Sequence, residues 1–183
     1  MANYTGQEPI YVITGDPTTV NEVTPYAAGI LGKEVCVTNT SGSADPGSGA
    51  KVFKYVQVDS TATVAPYIGA VAWWSNRDLF RVTTAATNRG QIAGIFTGVY
   101  PAIGNYGYIQ IAGPAIVKFI DAVTAAPTAA GLHVIPSATA AKADCLASGS
   151  APTFPLIGLS NAALNAGDQT AECILTIKTG SNP

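Results

Sequence analysis

The sequence predicts an all-β protein: a small β-barrel or sandwich with bent, glycine-containing strands, an elaborated N-terminal β portion and very little helix. Two observations carry this expectation. Thr, Val, Ile and Tyr dominate every strong local pattern, and Gly or Pro recurs about every dozen residues, as in short strands joined by turns. No window shows an apolar stripe at helical spacing. The Ala-rich stretch 122–151 is broken by Pro127, Gly131, Pro136 and Gly149. At most, short helical turns are expected near residues 137–143 or 161–164. With 183 residues the chain can bury a core without disulfide or metal staples.

The elements follow in order. Residues 10–14 form a short strand that stops at the turn signal Gly15-Asp16-Pro17. Residues 34–38 place Val35 and Val37 on one face and Cys36 on the other. A loop of small and polar residues spans 39–49, and 51–59 is the longest clean strand. Segments 68–74 and 78–84 read as a hairpin around Ser75-Asn76-Arg77. Segment 91–99 carries Gly94 and Gly98, a spacing suited to a bulged or bent barrel strand. Residues 101–105 form a turn. Strands 106–112 and 115–120 flank Gly113-Pro114 as separate elements, followed by short strands at 131–135 and 156–160. Segment 171–179 ends the series, with Cys173, Leu175 and Ile177 alternating against Glu172, Thr176 and Lys178.

Charge sets the surface chemistry. Charged residues make up 11% of the chain and hydrophobic residues 48%, whereas about 25% charge is usual. Much of the surface must therefore be Ala, Gly, Ser, Thr and Asn, and sparse charge favours association. The net charge is -2. The densest basic group, Arg77, Arg81 and Arg89, encloses Asp78, so no nucleic-acid stripe exists and no nucleic-acid partner is expected. No run reaches the ~18 apolar residues that a membrane helix needs. Residues 1–9 carry neither a basic nor an apolar leader region, so no secretory signal is expected. Cys36, Cys145 and Cys173 form no CxxC pair, which suits a reducing cytoplasm and makes the sequons at Asn3 and Asn39 chance matches.

The sequence carries no recognisable catalytic constellation. His133 is the sole histidine and sits among apolar neighbours, so it reads as a strand residue. No Gly-x-Ser-x-Gly elbow occurs. Gly47-Ser48-Gly49-Ala50-Lys51 lacks the Gly-Lys-Ser/Thr ending of a phosphate loop. The carboxylates are dispersed at turns and strand ends. No enzyme activity, cofactor or metal is expected. The aromatic residues stand out instead. Adjacent Trp73 and Trp74 must point to opposite faces of a strand, so one fills the core and the other is exposed or covered by a partner. Tyr100, Tyr106 and Tyr108 add a second group. These five residues are the candidate subunit interface.

The second half resembles a known family. It carries Gln91-Ile92-Ala93-Gly94-Ile95-Phe96 and Gly104-Asn105-Tyr106-Gly107-Tyr108-Ile109-Gln110-Ile111-Ala112-Gly113-Pro114. It then has Gly131-Leu132-His133-Val134-Ile135, Pro155-Leu156-Ile157-Gly158-Leu159 and Gly167-Asp168-Gln169 before a closing strand. Together these resemble the decoration proteins of tailed-phage capsids, also called head-stabilising or cement proteins, over residues 89–179. The resemblance implies a small β-barrel, often trimeric, bound to the outside of the shell at contacts between major capsid subunits. The expected division is an N-terminal arm and β-rich portion, residues 1–88, either separate from or continuous with a decoration-like barrel, residues 89–183. The expected function is that of a structural virion protein on the capsid exterior, made in the host cytoplasm. Its expected partners are the major capsid protein and its own copies as a homotrimer. The alternative is a carbohydrate-binding or adhesin module of a tail fibre or surface appendage.

Overall fold

A computed structural model describes residues 11–14, 30–38, 50–88, 90–97, 101–120, 127–147, 149–152, 154–165 and 167–177. It is essentially all-β, with 47% strand and a closed five-stranded barrel plus strands outside the ring. The strands are β1 (Tyr11–Thr14), β2 (Glu34–Thr38), β3 (Ala50–Val58), β4 (Val71–Asn76), β5 (Arg81–Thr83) and β6 (Ile92–Ile95). They continue with β7 (Tyr106–Lys118), β8 (His133–Pro136), β9 (Ala143–Cys145), β10 (Gly158–Ser160) and β11 (Thr170–Thr176). The helical element among the described residues is one 3-10 turn, Ala86–Asn88. Neither segment in which the sequence allows a short helical turn, 137–143 or 161–164, is helical. Residues 137–142 close instead on a Ser137 N to Lys142 O bond of 3.1 Å, which starts the unexpected strand β9.

The sheet order is β1-β2-β3-β5-β4-β6-β7-β11-β10-β8-β9, and β3 also pairs with β7. That extra pairing closes β3, β5, β4, β6 and β7 into the barrel. The expected hairpin is present as β4 and β5, antiparallel with Trp74 opposite Val82. The expected bulge beside Gly94 is present too: the β4–β6 register slips between Ala72 and Trp73. A single parallel bridge from Phe119 to Ala143 ties β9 back to the end of β7, so the second set of strands curls on itself. A boundary at residues 88 and 89 therefore falls inside the closed barrel, which takes β3, β4 and β5 from before it and β6 and β7 from after it. Strands β7 to β11, which make the second curl, all follow that boundary.

The expected pair of strands around Gly113-Pro114 is in fact one strand of 13 residues, β7. Gly113 adopts φ +87° and lies so close to β3 that a Cβ there would stand 2.2 Å from the Ala50 carbonyl oxygen. Only glycine meets both conditions. The strand kinks there without ending. Before the kink β7 pairs with β3, with Ala112 opposite Val52. After it β7 pairs with β11, with Ala115 opposite Cys173. Buried Gln110 clasps the kink: its Nε2 donates to the Ala112 and Pro114 carbonyls at 3.0 and 2.9 Å. One strand thus serves both the barrel and the second curl.

The faces of these strands feed separate cores. Val56, Val58, Ala72, Trp74, Val82, Ala93, Ile109 and Ile111, one or more from each barrel strand, pack together inside the ring. The opposite faces of β4 and β6 supply Val71, Trp73, Ile92 and Ile95 to a second core. There they meet Val117, Phe119, Val134, Ile157, Cys173 and Leu175. A small third cluster joins Val35, Val37 and Phe53 on the outside of β3.

Candidate interaction surface

The five aromatic candidates separate. Trp73 is fully buried in the second core and Trp74, 3% exposed, is buried in the barrel. The expectation that one ring of the pair would be exposed or covered by a partner is therefore corrected. The tryptophans do point to opposite faces, but β4 lies between two layers of the same chain, so both faces are covered from within. Trp74 meets Phe80 edge-on at 6.4 Å. The Lys54 ammonium sits 5.9 Å from the Trp74 ring and pairs with Glu34 at 2.9 Å. Tyr100 lies outside the described residues.

Tyr106 and Tyr108 remain as surface candidates. Both are half-buried on the outer side of the barrel, where strand alternation sends Tyr55 as well. Tyr55 is directly opposite Tyr108, with ring centroids 5.0 Å apart, and stacks with Tyr106 at 6.3 Å. Tyr108 also packs on Val35, Val37 and Phe53, which leaves Tyr106 the freer of the two.

Several exposed aliphatic side chains went unnoticed in the sequence. Ile30, Leu79 and Ile103 are 60%, 49% and 42% exposed. Leu159 and Ile174, 41% and 39% exposed, face each other across β10 and β11. Alternation could have found Ile174, which shares the outward face of β11 with Glu172 and Thr176. The three in turns have no period to reveal them.

The titratable groups near these surfaces serve structure. Asp59 accepts from the Thr61 backbone N–H at 2.9 Å and from the Ser75 hydroxyl at 2.9 Å, and these bonds hold its carboxyl below its usual range, the Thr61 bond most. Burial raises the Asp144 carboxyl, against the opposing bond from the Cys145 N–H. Burial, with Asp144 adding to it, pushes the Cys145 thiol up to about 12. Cys173 is raised as well, chiefly by burial. Both thiols are thus held protonated and make poor nucleophiles. His133 is half-buried on β8 opposite Leu159. Among the described residues no group of three or more His, Cys, Asp or Glu side chains converges on a point that could hold a metal ion. No described helix is long and apolar enough to cross a membrane.

Comparison with protein-family models, curated proteins and solved structures found no match. What the chain offers a partner must therefore be argued from its own surface: an outer tyrosine face and exposed aliphatics on a weakly charged, two-core β scaffold.

Proposed function

We propose that this chain is a structural subunit of a phage virion that binds the outside of the capsid and stabilises contacts between major capsid subunits. The observation that supports this reading most is the contrast between core and surface. Each tryptophan is buried inside the chain, yet Ile30, Leu79, Ile103, Leu159 and Ile174 stand exposed on a protein with only 11% charged residues. Such a surface suits a subunit that spends its life against neighbours. The sequence resemblance over residues 89–179 points the same way. The mechanism is mechanical: each subunit buries complementary surface across a junction, and the free energy gained exists only in the assembled shell.

The test is co-sedimentation of the purified protein with shells assembled from the major capsid protein of the same virus. Saturable binding is expected, weakened about tenfold or more by Tyr106→Ser. No binding at tens of micromolar would overturn the reading. The tyrosine face also favours a second reading, a carbohydrate-binding module, because Tyr106 lies opposite the polar Gln57, whose side chain accepts from Arg81. Binding to glycans in place of shells would support it.

A further inference from the structure

One residue of the second curl belongs to the core of the barrel. Ala141, on the turn between β8 and β9, is fully buried and joins Ala62, Ala70 and Phe96 in the barrel core. Its backbone is bound from three sides at the barrel end where β4 begins and β5 stops. The Ala141 N–H donates to the Thr84 carbonyl at 3.1 Å. Its carbonyl accepts from the Val71 N–H at 2.9 Å and from the Tyr67 hydroxyl at 3.3 Å. The receiving segments are tied by bonds of their own. The Thr84 hydroxyl donates to the Val64 carbonyl at 2.6 Å and accepts from the Val64 N–H at 3.1 Å. The Gly69 N–H donates to the Phe96 carbonyl at 2.7 Å, and the Gly69 carbonyl accepts from the Lys118 N–H at 2.9 Å.

The inserted residue is strained. Ala141 has φ +61°, a left-handed conformation that residues other than glycine rarely adopt. It is the third residue of the turn Thr139–Lys142, closed by a Lys142 N–H to Thr139 O bond of 3.3 Å. With positive φ that position favours Gly or Asn. The hold on the turn is also slight. Ala138 and Thr139 are exposed, and of residues 138–142 only Ala141, with its one methyl group, is buried. Each of its hydrogen bonds can be exchanged for one to water at small net cost. The base of the hairpin is held independently. Pro136 pairs with Ala143, and the Ile120 N–H donates to the Ala143 carbonyl at 3.2 Å.

We propose that residues 137–142 form a latch that leaves and re-enters the barrel end within the folded state. Opening withdraws the Ala141 methyl and relaxes its backbone. It also releases the Thr84 carbonyl, the Val71 N–H and the Tyr67 hydroxyl from the turn. β8 and β9 stay paired, as do the strands that wall both cores, so the motion is distinct from unfolding. Closed, the latch seals the barrel with a residue from the second curl. The inference is independent of the capsid reading, because it concerns contacts within one copy of the chain.

Hydrogen exchange reads the latch in the wild type. The Ala141 and Val71 amides are expected to exchange at least about tenfold faster than the Phe96 amide, at rates insensitive to low urea. The Phe96 amide is the control, because it donates to the Ala70 carbonyl at 3.0 Å beside Val71 and takes no part in the latch. Two variants, Ala141→Val and Ala141→Lys, then hold the latch open. They differ in size and charge, yet neither can cost more than the closing of the latch, because an open turn leaves either side chain in water. Their melting temperatures are expected to agree within about 2 °C, the spread of ordinary surface substitutions. The stability lost should equal the opening free energy read from wild-type exchange. In both variants the Val71 amide loses its protection while the Phe96 amide stays protected. A larger loss for the lysine variant, a variant that does not fold, or Val71 and Phe96 amides that exchange alike overturns the inference.

Discussion

At the scale of single residues, the tryptophan pair shows how two neighbours in sequence come to serve different cores. Trp73 and Trp74 are 0% and 3% exposed, so Trp73→Ser and Trp74→Ser should each cost about 3–5 kcal/mol. For a chain of this length that is a fall of roughly 10 °C or more in melting temperature. Equilibrium urea melts of both variants check this, and a variant within 1 kcal/mol of wild type would contradict the burial. Trp73→Phe should be much milder, since the indole Nε1 of Trp73 has no hydrogen-bond partner to lose. The two perturbed aspartates predict opposite pH behaviour. Asp59 has its folded pKa lowered, so its contribution is present above the unfolded value and is lost as pH falls through the folded one. Asp59→Asn should flatten the acid limb of the stability profile. Asp144 has its folded pKa raised, so its ionisation opposes folding as pH rises through that value. Asp144→Asn should raise the melting temperature at pH 7, and the gain should vanish below about pH 4. Melting curves from pH 3 to 8 read both effects.

At the scale of elements, the decisive piece is β7. A single strand exchanges partners at Gly113, and the exchange works only because its backbone is left-handed there and carries no Cβ. Gly113→Ala would combine a φ of +87° with a contact of 2.2 Å to the Ala50 carbonyl. A loss of at least about 3 kcal/mol is expected, from a left-handed non-glycine residue and overpacking together. Gly158 plays a similar part on β10, where a Cβ would stand 2.0 Å from the Ile174 carbonyl. Gly158→Ala should therefore open the β10–β11 pairing. Hydrogen exchange would show this as faster exchange at the Thr176 and Asn161 amides, which donate to the Ile157 and Glu172 carbonyls across that pairing. A Gly104→Ala control, at φ +89° with open space around it, should cost only the left-handed strain. Equal losses at Gly104 and Gly113 would argue against the close approach.

For the whole molecule, the shared strands predict cooperativity. β4 and β6 lend one face to the barrel core and the other to the second core, and β7 pairs on both sides of its kink. Neither core can be exposed without stripping the other of a wall. A single calorimetric transition is expected, lowered as one by Trp74→Ser in the barrel and by Phe119→Ala in the second core. Two separable transitions, each sensitive to one variant, would show instead that the cores unfold independently. The thiols give a chemical check on the same event. Cys145 and Cys173, raised by burial, should resist a thiol reagent at pH 8 until this transition and then react together.

Local chemistry alone determined the all-β class and most strand positions, because Val, Ile, Thr and Tyr suit a pleated surface and turns need Gly, Pro, Asn and Asp. It also determined the bulge near Gly94 and the opposite orientation of Trp73 and Trp74, since both depend on residue type and on a period of two. Partnership was decided by the tertiary structure. A sequence shows that a strand has two faces, but only the packing of β7 to β11 against the outside of β4 and β6 shows that both are covered, which moved Trp73 and Trp74 into cores. The same holds for Gly113-Pro114. As a dipeptide it reads as a turn, and it became a kink because β3 and β11 offer hydrogen-bond partners on either side of it. The turns carrying the exposed Leu79 and Ile103 are tied through Gln57, and the segment of Ile30 is tied beside them through Gly32 at Tyr55 and the Phe80 ring, from three segments far apart in the chain, and no local pattern encodes that meeting.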